Sequence, residues 1–284
     1  ADFSDKNVGN GKNVTLSGYS LSGTDAANYN LQLPTLTADI TPADVILNGL
    51  TANNRVYDAT TVASTTGIAA VTALSGDDLS VDTLSANAAF SDKNAGSGKA
   101  VTLAGYTLTG VDAGNYQLQT STLNADITAA PISLTGLTGD DKIYDSTTVA
   151  SLTGSAAVTP ISGDTLNVIS GTADFSDKNV GTAKTINLNG YSLGGTDAGN
   201  YSLQVPTLSA DITPVSVTLN GLNANHKIYD TTTTANLNGI ASVAVLGTDN
   251  LLVDSGSAAA DFSDKNVGNG KNVTLSGYSL SGTD

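Results

Sequence analysis

Carboxylates dominate the chemistry open to this chain. All 26 acidic residues are aspartates, and some stand close together: Asp77, Asp78 and Asp82, then Asp140 and Asp141. Two carboxylates flanking a sugar would suit glycoside cleavage. Several of them with Asn oxygens would suit calcium, which takes hard oxygen ligands. The pairs do not persist, because Asp77–Asp78 becomes Asp164–Thr165 and then Asp249–Asn250 further along. A D-x-[DN]-x-[DN]-G calcium loop is also missing. The aspartates therefore read first as turn formers that accept backbone N–H groups. Calcium at Asp77, Asp78, Asp82, Asp140 and Asp141 is the alternative, and no other cofactor or metal is expected. The single histidine, His226, stands where Asn54 and Asp141 stand elsewhere. Neither a positioned acid–base pair nor a Ser-His-Asp arrangement can then recur. With no cysteine there is no thiol nucleophile, disulfide or thiolate metal site. Lysines beside Asn and Asp would suit an intramolecular isopeptide bond, but the Glu that assists such bonds is absent. The sequence predicts no enzyme.

What must position these residues is a repeat. Phe3, Phe90, Phe175 and Phe262 all lie in the word FSDKN and are 87, 85 and 87 residues apart. Tyr57, Tyr144 and Tyr229 each precede Asp and keep the same offsets. Tyr19, Tyr106, Tyr191 and Tyr278 follow Gly, and Tyr29, Tyr116 and Tyr201 follow Asn. Residues 1–25 and 260–284 are identical. The reading is one module in series: 1–42 the C-terminal part of a module, 43–129 and 130–214 complete modules, and 215–284 an N-terminal part. A cut from a longer fibre, or completion of the open ends by neighbours, is expected.

Within a module the pattern is that of strands. Val45 and Leu47 alternate with Ile46 and Asn48, and Ile132/Leu134 and Val217/Leu219 repeat this, which is the period of a half-buried strand. Val101 and Leu103 change parity to Tyr106 and Leu108 across Gly105, a signature of a β-bulge. It recurs at Gly18, Gly190 and Gly277. The shorter segment after Val168 reads as a hairpin tip. Turn signals every 8–12 residues indicate an all-β fold. The expectation is tandem small immunoglobulin-like β-sandwich modules in an elongated rod, with β-grasp-like modules as the alternative. The structural core motif is read as Tyr57, Asp58, Phe90, Tyr106 and Tyr116; Tyr144, Asp145, Phe175, Tyr191 and Tyr201; and Tyr229 and Asp230. Asp58 should accept a backbone N–H two or three residues on.

RVYDATT, KIYDSTT and KIYDTTT, then FSDKN with GYSL and DAGNY, then ADITP, resemble the YDG repeat of large bacterial surface adhesins and haemagglutinin-like exoproteins. The Gly of that name is replaced by Ala59, Ser146 and Thr231, so positive φ is not expected there. The resemblance implies an extracellular stalk or filament segment of an adhesin or biofilm-matrix protein, acting as spacer and scaffold. Two alternatives are multivalent weak carbohydrate or partner binding and a laterally assembling fibre or sheath. Neighbouring modules are the expected partners, with homo-oligomeric assembly, extracellular polysaccharide or a cell surface as further ones. A formal net charge of −15 argues against nucleic acid and anionic lipid. No apolar run is long enough for membrane insertion.

Overall fold

A computed structural model describes residues 1–283. It is all-β, built from many small sheets, with three single-turn 3-10 segments at Ala26–Asn28, Ala113–Asn115 and Ala198–Asn200. The chain forms two compact units. The first comprises Ala1–Ile132 with Pro160–Thr165 and Gly195–Ser202; the second comprises Ser133–Thr159, Leu166–Gly194 and the chain from Leu203 on.

In the first unit a five-stranded sheet runs in the order Arg55–Val56, Leu123–Thr128, Gly96–Ala104, Asn87–Phe90, Val62–Ala63. Its neighbours are antiparallel, except that Arg55–Val56 runs parallel to Leu123–Thr128. Ala43–Ile46 also pairs in parallel, with Tyr116–Gln119. These are the strands on which Val45, Phe90, Val101, Leu103, Tyr116 and Ile127 are buried, and Leu47 is buried just past the end of Ala43–Ile46. Alternation along them sends one residue in two inward, and each fully buried aliphatic stabilises the fold by about 2 kcal/mol. In the second unit the corresponding sheet is four-stranded, and Ala173, Phe175, Ile186, Ala210 and Ile212 form its buried cluster. Leu152, from the separate pair Thr135–Gly139 and Leu152–Ala157, packs against that cluster.

Two local expectations are corrected. Gly105 is not a bulge within one strand. Gly96–Ala104 ends there, and Thr107–Thr109 then joins Ser80–Asp82 in a different sheet, so the parity change marks a passage between sheets. At Gly105 φ is +75°, and a Cβ would stand 2.0 Å from the Ser85 carbonyl oxygen, so only glycine can turn this corner. The true register shifts lie between Gly96 and Lys99 and between Asn48 and Leu50. The length difference after Val168 likewise does not fall at a hairpin tip. The matching segment, Thr83–Ala86, links strands belonging to two different sheets and exposes Leu84.

The third correction concerns the residue after YD. Ala59, Ser146 and Thr231 all have positive φ, at 65°, 63° and 72°. The turn is held on both sides, which overrides the preference of L-residues for negative φ. Asp58, Asp145 and Asp230 each accept the N–H of the Thr two residues on, at 2.9 Å. Arg55, Lys142 and Lys227 each bind the same Asp and also reach backbone carbonyls beyond the turn. Lys142 and Lys227 draw Asp145 and Asp230 down to about 2. Left-handed backbone costs a β-carbon residue about 1–2 kcal/mol. Thr231→Gly should therefore raise stability by about 1 kcal/mol, read as a higher urea midpoint. An unchanged or lower midpoint would show that the turn is not strained.

Candidate functional site

The polar chemistry of the chain converges where one sequence repeat meets the next, and it does so three times. The best-populated instance lies in the first unit around Asp164, whose side chain is 1% exposed. Lys93, from FSDKN, reaches its Oδ1 at 2.8 Å. Two tyrosine hydroxyls donate to Oδ2 at 2.7 Å each: Tyr57 from the upstream repeat and Tyr201 from the repeat of Asp164 itself. The two rings meet edge-on with centroids 5.5 Å apart, and the Lys93 ammonium lies 5.8 Å from the Tyr57 ring centroid. Tyr201 also accepts the Ile161 N–H at 2.9 Å, so both functions of its hydroxyl are used. Alongside, Asn200 accepts the Ala95 N–H at 2.8 Å and donates to Asn94.

The same unit holds a second instance. Lys6 binds Asp77 at 2.6 Å and Asp112 at 2.9 Å. Tyr116 donates to Asp77 at 2.7 Å and accepts the Leu74 N–H, while Asn115 accepts the Val8 N–H. In the second unit Lys178 pairs with Asp249, to which Tyr144 donates at 2.7 Å. The elements explain the placement. FSDKN is a turn in which Asp5, Asp92, Asp177 and Asp264 accept the N–H two residues on. The same carboxylates are held by Lys12, Lys99, Lys184 and Lys271. This leaves the middle Lys projecting outward. The 3-10 turn before Tyr116 and Tyr201 presents Asn and Tyr from the other side.

Charge follows geometry. Burial pushes the Asp164 carboxyl up, but bonds from Lys93, Tyr201 and Tyr57 outweigh it and hold the group below the usual 3.8. Lys6 holds Asp77 down in the same way. Burial and then Asp164 push Tyr201 up to about 12. Lowered carboxyls stabilise the folded chain above pH 3.8, and that contribution is lost as the pH falls through their folded values. The raised tyrosine stabilises below pH 10, and its share is lost as the pH rises towards 12. Thermal unfolding followed by circular dichroism should show the midpoint falling below pH 3.8 and again above pH 10. A midpoint that stays level from neutral down to about pH 2.5 would remove the carboxylates from the stability account.

The candidate calcium residues have other duties. Asp77 belongs to the joint, Asp82 accepts the Leu84 N–H, and Asp141 accepts the Asp211 N–H. The Asp78 carboxylate accepts the Val111 N–H at 3.5 Å, and at Asp140 it is the backbone N–H, donating to the Ser151 carbonyl, that is engaged. Among the described residues no three His, Cys, Asp or Glu side chains converge. His226 is exposed.

The core motif needs correction in part. Tyr57, Phe90, Tyr116, Phe175 and Tyr201 are buried. The side chains of Asp58, Asp145 and Asp230 are about half exposed, because they serve the turn rather than the core. Tyr106 and Tyr191 are half-buried beyond the sheet corner. Tyr144 is half-buried on an open groove, and Tyr229 is 52% exposed. Asp164 and Asp249 do not stand in carboxylate pairs, so pairing does not mark them. One column with Asp in every copy, Asp77/Asp164/Asp249, was the available signal.

The chain matches the YDG domain family over residues 1–38, 41–123, 128–210 and 213–284. It belongs to that family. No curated protein and no solved structure matches it. The YDG tyrosine itself, at Tyr57 and Tyr144, thus grips the next repeat, and the aspartate beside it closes the strained turn.

Proposed function

We propose that this chain is a structural spacer, a stalk or filament segment of a secreted bacterial adhesin or matrix protein, without catalysis. One observation carries the reading. The same Lys–Asp–Tyr joint recurs from repeat to repeat, so the most constrained polar side chains are spent on holding neighbours in place. The acidic, cysteine-free composition and the resemblance to adhesin repeats support an extracellular setting. The reading includes a finer assignment, an immunoglobulin-like sandwich for each repeat. Separate small sheets that pack on one cluster, as Leu152 does, favour it over a β-grasp-like module.

Chains with different repeat numbers test it by small-angle scattering. A spacer with held joints gives a maximum dimension that grows in proportion to repeat number. Growth close to the square root of that number is the behaviour of a flexible string and would overturn the proposal. A glycan array signal that scales with repeat number would favour multivalent binding instead.

A further inference from the structure

In the repeat 43–129 the opening strands and the closing strands lie side by side and point the same way. Ala43–Ile46 pairs in parallel with Tyr116–Gln119, with Ala43 opposite Tyr116 and Ile46 opposite Gln119. The Leu47 N–H extends this ladder onto the Gln119 carbonyl at 2.9 Å, and the Gln119 side chain donates to the Asp44 carboxylate at 2.9 Å. Val45 and Leu47 anchor the strand by burial. A second parallel contact follows, in which Arg55–Val56 lies along the end of Leu123–Thr128. There the Tyr57 N–H donates to the Thr128 carbonyl at 2.8 Å, and the Asn54 side chain accepts the Asp126 N–H at 2.7 Å. The second unit repeats this contact. Lys142–Ile143 runs parallel to Leu208–Thr213, the Tyr144 N–H meets the Thr213 carbonyl, and Asp141 accepts the Asp211 N–H.

The direction of these pairs decides how they meet a pull along the chain. Tension enters the repeat 43–129 through Thr41 and Pro42 and leaves through Ala129. In a parallel pair the start of the first strand and the end of the second lie at opposite ends of the ladder. A pull then slides one strand along the other, and the evenly spaced bonds stretch together before any one parts. A pair entered and left at the same end would open one bond at a time. Tyr57 and Tyr144 pass the pull onward, since their N–H groups belong to the ladder and their hydroxyls bind Asp164 and Asp249 in the joint.

We propose that these parallel contacts are a shear clamp, a device that keeps a repeat folded while the chain is under tension. The proposal rests on the spacer reading and adds to it that the spacer carries force. Its residues are the opening and closing strands of the repeat 43–129, with Asn54 and Asp141 as side-chain braces on the second contact in each unit. Resistance then depends on the direction of pulling and not on folding stability alone.

Single-molecule force spectroscopy of the full chain tests this, with handles on introduced cysteines, since the chain has none. Thr41→Cys/Thr120→Cys pulls the Ala43–Ile46 ladder from opposite ends. Thr41→Cys/Gly114→Cys pulls the same ladder from one end. All three positions are exposed, and a β-carbon at Gly114 meets no atom within 4 Å. Without force the two variants should melt together. Each should release about 26 to 28 nm of chain, from the 73 and 79 residues beyond Thr41 at about 3.6 Å each. The opposite-end pair should rupture at a several-fold higher force. Forced unfolding reports the unfolding rate, so equal melting with unequal force isolates direction. Equal rupture forces, or a higher force from the same-end pair, would overturn the clamp. Neither result bears on the spacer reading, which stands or falls with the growth of the maximum dimension.

Discussion

Asp164→Ala lowers the stability of the folded chain by about 3 kcal/mol, the range for removing one partner of a buried ion pair. The reason is what it leaves behind. Lys93 loses its nearest anion, and the hydroxyls of Tyr57 and Tyr201 lose an acceptor whose side chain is buried, although Lys93 itself reaches solvent. An unpaired buried polar group costs about 1–3 kcal/mol by itself. Urea unfolding of the single variants and of Asp164→Ala/Lys93→Met measures this. The double variant should lose less than the sum of the two, because the lysine no longer has a carboxylate to miss. Strict additivity would mean that the two side chains do not interact, and the joint would reduce to packing. Lys12 and Asp5 form the contrast, since that Asp is half exposed and solvent screens the pair.

Phe175→Ala costs about 3–5 kcal/mol, whereas Phe3→Ala costs less than about 1 kcal/mol, although both residues open the same word. Phe175 is 2% exposed, inside the cluster with Ile186 and Ile212, and the Lys142 ammonium lies 5.6 Å from its ring centroid. Phe3 is 42% exposed. Denaturant midpoints of the two variants, measured side by side, provide the comparison. Similar losses would show that Phe3 is covered as fully as Phe175.

The strands were legible because burial imposes a period of two. Val45, Leu47, Ile132 and Leu134 stand where that alternation puts them, and Phe90 and Phe175 are core residues as their spacing implied. Three things were hidden. Parity at Gly105 shows that the buried face changes, but not that the chain has moved to another sheet. The residue after YD has β-carbons in three different side chains, and nothing local reveals that Asp and Lys hold it at positive φ. The joint depends on residues about 70 and 105 positions apart, such as Lys93 with Asp164 and Tyr57 with Asp164. No short-range pattern reports such pairs, but a column-by-column comparison of the repeats would have. Tyr229 and Tyr29 share the columns of buried residues, yet they are 52% and 73% exposed, so a column alone does not fix burial.

The joint takes its lysine from the upstream side of each boundary and its aspartate from the downstream side, in the same columns each time, with tyrosine hydroxyls added from either side. Any copy can consequently follow any other and still find its match.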